Sequence, residues 1–171
     1  MLCFVLFSQA GRASPLTFEV GRKGERNILA LIASQPYEAF SSSATLVLPA
    51  SSVRPTIKLY LLTANLAKSL KCYTPHAEVT FVYASGKRDV VSLTPPFSFS
   101  SLGGNRGYEA FVPAHFALPF GRLSGVLGSP FSKVAVMDVL VPSPTLPLAS
   151  IELKTVVTET VFGIMGAALL Q

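Results

Sequence analysis

The chain has 171 residues, which suits a single domain and is short for a multidomain enzyme. Only 13% of the residues are charged while 50% are hydrophobic, a balance that excludes global disorder. Fourteen basic against nine acidic side chains give a net charge of +5, but the basic residues are scattered. Because they form no dense stripe and belong to no recognisable module, we expect no nucleic-acid partner.

The beginning of the chain differs from the rest. Residues 1–14 are interpreted as a leader-like or truncated segment, and residues 15–171 as a single domain. Met1–Phe7 is apolar and is followed by small residues, as in a secretory leader, although it lacks a basic region and its apolar run is short. This pattern weakly favours a secreted or extracytoplasmic protein, and it is equally consistent with a fragment of a longer protein.

The predicted elements are short strands. Alternation with a period of two is clearest where apolar and polar residues face opposite ways, which predicts strands with one buried face. Prolines and glycines stop each run, and Gly86 lies where a hairpin turn favours a positive φ. In chain order, the predicted strands are Thr17–Val20, Ile28–Ser34, Ala44–Leu48, Thr56–Thr63, Glu78–Tyr83, Asp89–Leu93, Tyr108–Val112, Val134–Val141, Ile151–Val157 and Val161–Leu169.

Many short strands with almost no helical periodicity predict an all-β fold. We expect an antiparallel two-sheet sandwich of jelly-roll type, with an open barrel as the second choice. Pro95–Gly107 and Ala114–Pro130 lack periodicity and are predicted to be long surface loops. Val161–Leu170 is apolar throughout but too short for a bilayer, which takes about 20 residues. It is therefore predicted to be a buried strand, and no transmembrane span is expected.

No catalytic or metal-binding constellation is evident. Ser124 is one place away from the spacing of a nucleophile elbow. His76 and His115 are interpreted as surface or capping histidines, and most carboxylates alternate with apolar residues as solvent-facing positions. Cys3 and Cys72 allow one disulfide at most and cannot complete a structural zinc site. We predict no enzyme activity, cofactor or metal; a calcium site built mainly from carbonyls stays open.

A sugar-binding surface could be built from loops at one end of a sandwich. Aromatic rings stack on sugar faces, while amides and guanidinium groups bind the hydroxyls. The chain has no tryptophan, and Phe97 and Phe99 favour a role in closing the core over a role in ligand binding. The candidate binding residues, concentrated in two predicted loops, are Tyr73, Phe97, Phe99, Asn105, Arg106 and Tyr108.

Several of these segments together resemble a galactose-binding-like jelly-roll domain. The family form has a strand that ends in a small-residue turn, a V-x-Y-x-D-G hairpin and a proline-ended strand. The tail is similar to the C-terminal sandwich domains of large bacterial glycoside-hydrolase-like proteins. The segments that carry the likeness are Ile57–Asn65, Ala77–Tyr83, Ser85–Gly86, Val91–Leu93, Pro95–Phe97, Val136–Pro142, Leu148–Leu153 and Glu159–Gly166.

The resemblance implies a non-catalytic accessory domain that accompanies a carbohydrate-active module, with glycan bound by loops at a sheet end. Ser85 departs from the family pattern, because it stands where the family hairpin has an acidic residue. No family binding residue is carried over to this chain. The alternative is a structural or protein-interaction module that docks on a neighbouring domain, which the low charge content favours.

Overall fold

The structure is a computed structural model that describes residues 7–10, 29–33, 40–63, 66–67, 73–95, 116–119 and 133–171. In these ranges the chain forms strands, turns and one 3-10 turn at Ala50–Ser52. The strands are β1 (Phe7–Ala10), β2 (Leu29–Ile32), β3 (Ser43–Val47), β4 (Lys58–Thr63), β5 (Leu66–Ala67), β6 (Ala77–Tyr83), β7 (Arg88–Leu93), β8 (Phe116–Pro119), β9 (Lys133–Leu140), β10 (Leu148–Thr155) and β11 (Thr160–Leu170).

The strands form two sheets. Sheet A has the order β1-β11-β4-β9-β8, and β2 and β5 also pair with β11. Sheet B has the order β3-β10-β6-β7. All pairs are antiparallel except β1 with β11, which is parallel. Several neighbours are far apart in sequence, so the chain crosses repeatedly between the sheets.

The two sheets pack face to face around one hydrophobic core, which confirms the prediction of an all-β sandwich. Sheet A contributes residues such as Leu59, Leu61 and Phe162, and sheet B contributes Phe81 and Ile151, all of them fully buried. On β10, Ile151 is buried while its neighbour Glu152 is only half-buried and points the other way. The period of two in the sequence therefore arises because one face of sheet B meets the core and the other meets solvent.

Strand β11 is buried on both of its faces. Residues 162–169 are all buried, although successive side chains of a strand point to opposite sides of the sheet. Leu62, next to β11 on β4, is also buried but lies outside the main core cluster, on the face of sheet A that points away from sheet B. The apolar run that predicted a buried strand is therefore explained by cover on both sides.

The hairpin between β6 and β7 has the predicted turn. Gly86 adopts a φ of +83°, and its N–H donates to the Tyr83 carbonyl at 2.8 Å. The Tyr83 N–H donates in turn to the Lys87 carbonyl at 2.9 Å. The glycine is needed because a side chain at this φ would be strained.

One prediction about the loops was wrong. Phe116–Pro119, inside a predicted surface loop, forms β8 and pairs with β9. The strand is four residues long and ends in a proline, which a sheet tolerates only at an edge, and β8 is the last strand in the order of sheet A. Strands β1 and β5 were also not predicted. The predicted strands Thr17–Val20 and Tyr108–Val112 lie outside the described residues.

The division of the chain into residues 1–14 and 15–171 stays a prediction. Within the first segment, the backbone of β1 pairs with β11 from Phe7↔Ala167 to Ala10↔Leu170. Cys3 and Cys72, which could form the single disulfide, lie outside the described residues.

Candidate functional site

The sheet end near Tyr73 is the described part of the predicted sugar-binding surface. The Tyr73 N–H donates to the Pro95 carbonyl at 2.8 Å, and the His76 N–H donates to the Leu93 carbonyl at 2.9 Å. These bonds continue the β6–β7 ladder beyond the start of β6 and the end of β7. Tyr73 therefore lies beside the point where the chain leaves β7 and enters the second predicted binding loop.

Tyr73 combines two unfavourable features. It is the only described residue other than glycine with a positive φ, at 61°, a region that bulky side chains avoid. Its side chain is also 75% exposed, the largest value among the exposed large hydrophobic residues of the described chain. Backbone strain of this kind costs about 1–3 kcal/mol and is concentrated at functional positions.

The structure places one of the six predicted binding residues. Tyr73 lies at a sheet end with its ring in solvent, and its role in ligand binding stays a prediction. The other five lie outside the described residues: Phe97, Phe99, Asn105, Arg106 and Tyr108.

His76 was interpreted as a surface or capping histidine, and this was wrong. Its side chain is 1% exposed, and its Nδ1 lies 2.9 Å from Thr160 Oγ1 in a buried hydrogen bond. The His76 carbonyl accepts hydrogen bonds from the Val156 N–H at 3.0 Å and from Thr155 Oγ1 at 3.3 Å. His76 therefore joins the start of β6 to the link between β10 and β11, and it holds the sheet end on which Tyr73 sits.

A second polar group links the β6–β7 hairpin to the crossover from β9 to β10. The Ser143 N–H donates to the Tyr83 hydroxyl at 3.1 Å, and Ser143 Oγ donates to Asp89 Oδ2 at 2.7 Å. Lys87 Nζ donates to Ser143 Oγ and lies 3.4 Å from Asp89 Oδ1. The serine proton is directed at a carboxylate and its oxygen accepts from an ammonium group. The arrangement therefore fixes the crossover against the hairpin.

The local environment shifts two pKa values in this group. Burial raises the pKa of the Tyr83 hydroxyl above its usual 10.0. The hydrogen bond from Ser143, with further ones from Tyr83 and Lys87, holds the pKa of Asp89 below its usual 3.8 in spite of some desolvation. Asp89 is therefore stabilised as a carboxylate in the folded state.

The lowered pKa of Asp89 predicts how stability depends on pH. Its contribution should be fully present above about pH 4 and should disappear as the pH falls through the lower pKa of the folded state. We expect Asp89→Asn to reduce the free energy of unfolding near neutral pH, and the difference from the wild type to shrink below pH 4. Urea unfolding from pH 2.5 to 7 measures this difference.

Two serine variants accompany this measurement, one expected to reproduce the effect and one that serves as the control. Ser143→Ala removes the donor to Asp89 and should reproduce the pH dependence of Asp89→Asn. Ser92→Ala, at an exposed position of β7, should leave the pH profile unchanged. A difference between Asp89→Asn and the wild type that stays constant down to pH 2.5 would contradict the assigned role of Asp89.

An ion pair lies on the face of sheet A that points away from sheet B. Lys58 on β4 donates through Nζ to Asp138 Oδ2 on β9 at 2.7 Å. The ammonium group also lies 5.9 Å from the centre of the Tyr60 ring. The hydrogen bond to Asp138 raises the pKa of Lys58, so the ammonium group stays protonated at neutral pH. Sequence reasoning missed this group, because Lys58 and Asp138 are 80 residues apart.

Within the described ranges, no group of three or more histidine, cysteine, aspartate or glutamate residues is arranged to hold a metal ion. The described part of the chain also contains no helix of the length and apolar character needed to cross a bilayer. No family model matches the chain, and neither a curated protein nor a solved structure matches it.

Proposed function

We propose that the chain is a non-catalytic accessory domain associated with carbohydrate-active proteins, and that it binds glycan through loops at one end of the sandwich. The observation that carries this proposal is Tyr73, whose exposed ring is held at a positive φ beside the start of a second loop. An aromatic ring in solvent offers a flat apolar surface for the face of a sugar. The strain and the exposure are both understandable if the ring is placed for a ligand.

The strand order supports a jelly roll as the finer description of the sandwich. With β1, β5 and β8 set aside, the remaining eight strands can be numbered one to eight along the chain. They then lie in the orders 1-8-3-6 in sheet A and 2-7-4-5 in sheet B. This interleaving is the arrangement of two Greek keys wrapped into a pair of sheets. It agrees with the galactose-binding-like resemblance, in which ligands are bound by loops at one sheet end.

The glycan proposal predicts that binding depends on the Tyr73 ring. Tyr73→Ala should weaken retention in an affinity gel that contains the bound polysaccharide by about tenfold or more, because stacking and apolar contact are lost. Since alanine also has a side-chain carbon at this positive φ, the backbone strain remains. The free energy of unfolding should therefore change by less than about 1 kcal/mol.

Tyr60→Ala provides the matched control, because Tyr60 lies on a strand of sheet A away from the Tyr73 sheet end. Retention of this variant in the gel should equal that of the wild type. The gels should include acidic, neutral and amino polysaccharides. If the wild type is retained by none of them, or if Tyr73→Ala is retained as strongly as the wild type, glycan binding at this end is wrong.

The alternative function is a structural or protein-interaction module that docks on a partner domain. Exposed valines on the outward face of sheet B favour it: Val47 is 73% exposed and Val90 is 58% exposed. Val82 lies between them in the register, two strands from Val47. Size-exclusion chromatography with light scattering tests this alternative. A strictly monomeric chain at high concentration weakens it, and association that Val47→Ser and Val90→Ser abolish supports it.

A further inference from the structure

The outer edge of β7 presents backbone groups that have no partner among the described residues. Strand β7 is the last strand in the order of sheet B, where it pairs with β6. At the hairpin end the Tyr83 N–H donates to the Lys87 carbonyl. Two residues further on, Phe81 faces Asp89. Because bonded pairs alternate along an antiparallel ladder, Asp89 bonds to β6 and its neighbours point away from β6. The residues of β7 whose N–H and C=O groups point outward in this way are Arg88, Val90 and Ser92.

The side chains along this edge are open to solvent. Arg88, Val90 and Ser92 are all exposed on the outward face of sheet B, and Val90 is 58% exposed. Strand β7 contains neither proline nor glycine, and its ladder with β6 has no shift in register. Natural sheets usually protect an edge by a proline, a bulge or a covering segment, since an unprotected edge pairs with other strands. The edge of β7 is therefore suited to accept a further strand.

The opposite edge of sheet B, formed by β3, is partly closed by the chain itself. The Ser42 carbonyl accepts from the Thr155 N–H at 2.9 Å, so Ser42 faces β10 and Ser43 points outward. The Ser41 hydroxyl donates to the Ser43 carbonyl at 2.7 Å and accepts from the Ser43 N–H at 3.3 Å. Pro49 follows shortly after the strand ends. Of the two edges of sheet B, the edge of β7 is therefore the more accessible to a partner strand.

The sequence of β7 is complementary to a second copy of itself. A two-fold axis at Val90 that relates two antiparallel β7 strands places each Val90 opposite the other, and Arg88 opposite Ser92 of the second copy. In this register the outward N–H and C=O groups of all three residues find partners. The valine pair brings two exposed apolar side chains together, and no two like charges face each other.

Charge complementarity favours the same register. Glu78 on β6 lies opposite Ser92. Its carboxylate has no hydrogen bond or ion pair among the described residues. In the two-fold arrangement, Arg88 lies across Ser92 from Glu78 of the second copy, two strand spacings or about 10 Å away, and the short serine lets the guanidinium group reach over it. Arg88 already binds Glu152 of its own sheet, and its five N–H donors allow a second carboxylate. The symmetry forms this contact twice.

We infer that the edge of β7 is a dimer interface, at which two copies of this chain pair β7 with β7 about Val90 and join their B sheets into one continuous sheet. The inference goes beyond the proposed function and does not rest on it, since glycan binding is measured separately in the affinity gels. A single strand pair buries less than the roughly 1,600 Å² of a standard interface, so the dimer should dissociate on dilution.

Sedimentation equilibrium of the full chain over a wide range of concentration tests the dimer. The wild type should show a monomer–dimer equilibrium. Val90→Lys should weaken dimerisation about tenfold or more, because the valine pair is lost and two ammonium groups face each other at the axis. Since Val90 is exposed in the monomer, this variant should fold like the wild type by circular dichroism. Glu78→Gln should weaken dimerisation about fivefold by removing the two contacts with Arg88.

Val47→Lys is the matched control. Val47 is an exposed valine on the outward face of the same sheet, but it lies on β3 at the opposite edge. It should leave the dimerisation constant unchanged. This control also separates edge pairing from docking through the outward face of sheet B, in which both valines would take part.

Amide hydrogen exchange at low and high protein concentration tests the register. The amides of Arg88, Val90 and Ser92 should exchange quickly in the monomer and become protected in the dimer. The amides of Asp89 and Val91 face β6 and should be protected at both concentrations.

Three outcomes would overturn the inference. One is a chain that stays monomeric at the highest concentration measured. Another is a dimer that Val47→Lys weakens as much as Val90→Lys does. The third is a dimer in which the amides of Arg88, Val90 and Ser92 exchange as quickly as they do in the monomer.

Discussion

Replacing Phe81 with alanine should lower the free energy of unfolding by about 3–5 kcal/mol. Phe81 is fully buried at the centre of β6, and its register partners are Ile151 on β10 and Asp89 on β7. Its ring lies between the two sheets in the main core cluster. The substitution removes the ring and leaves a cavity that strands held on both sides cannot easily close. Urea unfolding followed by circular dichroism measures the change.

Val90→Ala is the control for this prediction. Val90 lies on the neighbouring strand but on the outward face, where it is 58% exposed, so its truncation should change the free energy of unfolding by about 0.5 kcal/mol or less. Similar losses for Phe81→Ala and Val90→Ala would show that sheet B does not have one buried and one solvated face. The packing of sheet B against sheet A through one face would then be wrong.

Introducing a carboxylate at Leu62 should lower the free energy of unfolding by about 4 kcal/mol or more. Leu62 is 1% exposed on the face of sheet A that points away from sheet B, opposite Gly166 on β11 and Val136 on β9. The described chain places no cation in register with it. Leu62→Asp would therefore lose the buried leucine and also bury an unpaired charge. Because this variant can fail to fold, Leu62→Ala should be measured too, with an expected loss of about 2–4 kcal/mol.

Val47→Asp is the matched substitution on the outward face of sheet B. Val47 is 73% exposed, so the new carboxylate stays in water, and the cost should be about 1 kcal/mol or less. The two aspartate variants therefore compare the outer faces of the two sheets. If Leu62→Asp is as mild as Val47→Asp, the outer face of sheet A is open to solvent and the double-sided burial of β11 is wrong.

The sequence predicts the strands whose own residues show a regular pattern of apolar and polar positions. Strands β6 and β10 alternate because one face is buried, and residues 162–169 of β11 are apolar because both faces are covered. Strand β8 carries no such signal, since four residues ending in Pro119 are too few for a period to be read. Strand β8 is defined by its pairing with β9, which no pattern within these four residues indicates.

The polar groups could not be predicted in the same way. His76 is buried and bonded to Thr160, which is 84 residues away. No local sequence pattern indicates that partner. Asp89 alternates with apolar residues as a solvent-facing carboxylate would, yet it shares a sheet face with Phe81 and binds Ser143 from another part of the chain. The residue type and loop position of Tyr73 make it a candidate for ligand binding, while its positive φ depends on the tertiary structure.

The central place of β11 affects how the molecule can assemble as it emerges from the ribosome. Strands β2 and β4 are synthesised long before their shared partner, so both lack this pairing until β11 has been synthesised. Contacts between such distant parts of a chain form slowly. Apolar strand edges that are unpaired during this time can associate with other nascent chains. Chains in which β11 has not yet paired should therefore be the species most prone to association.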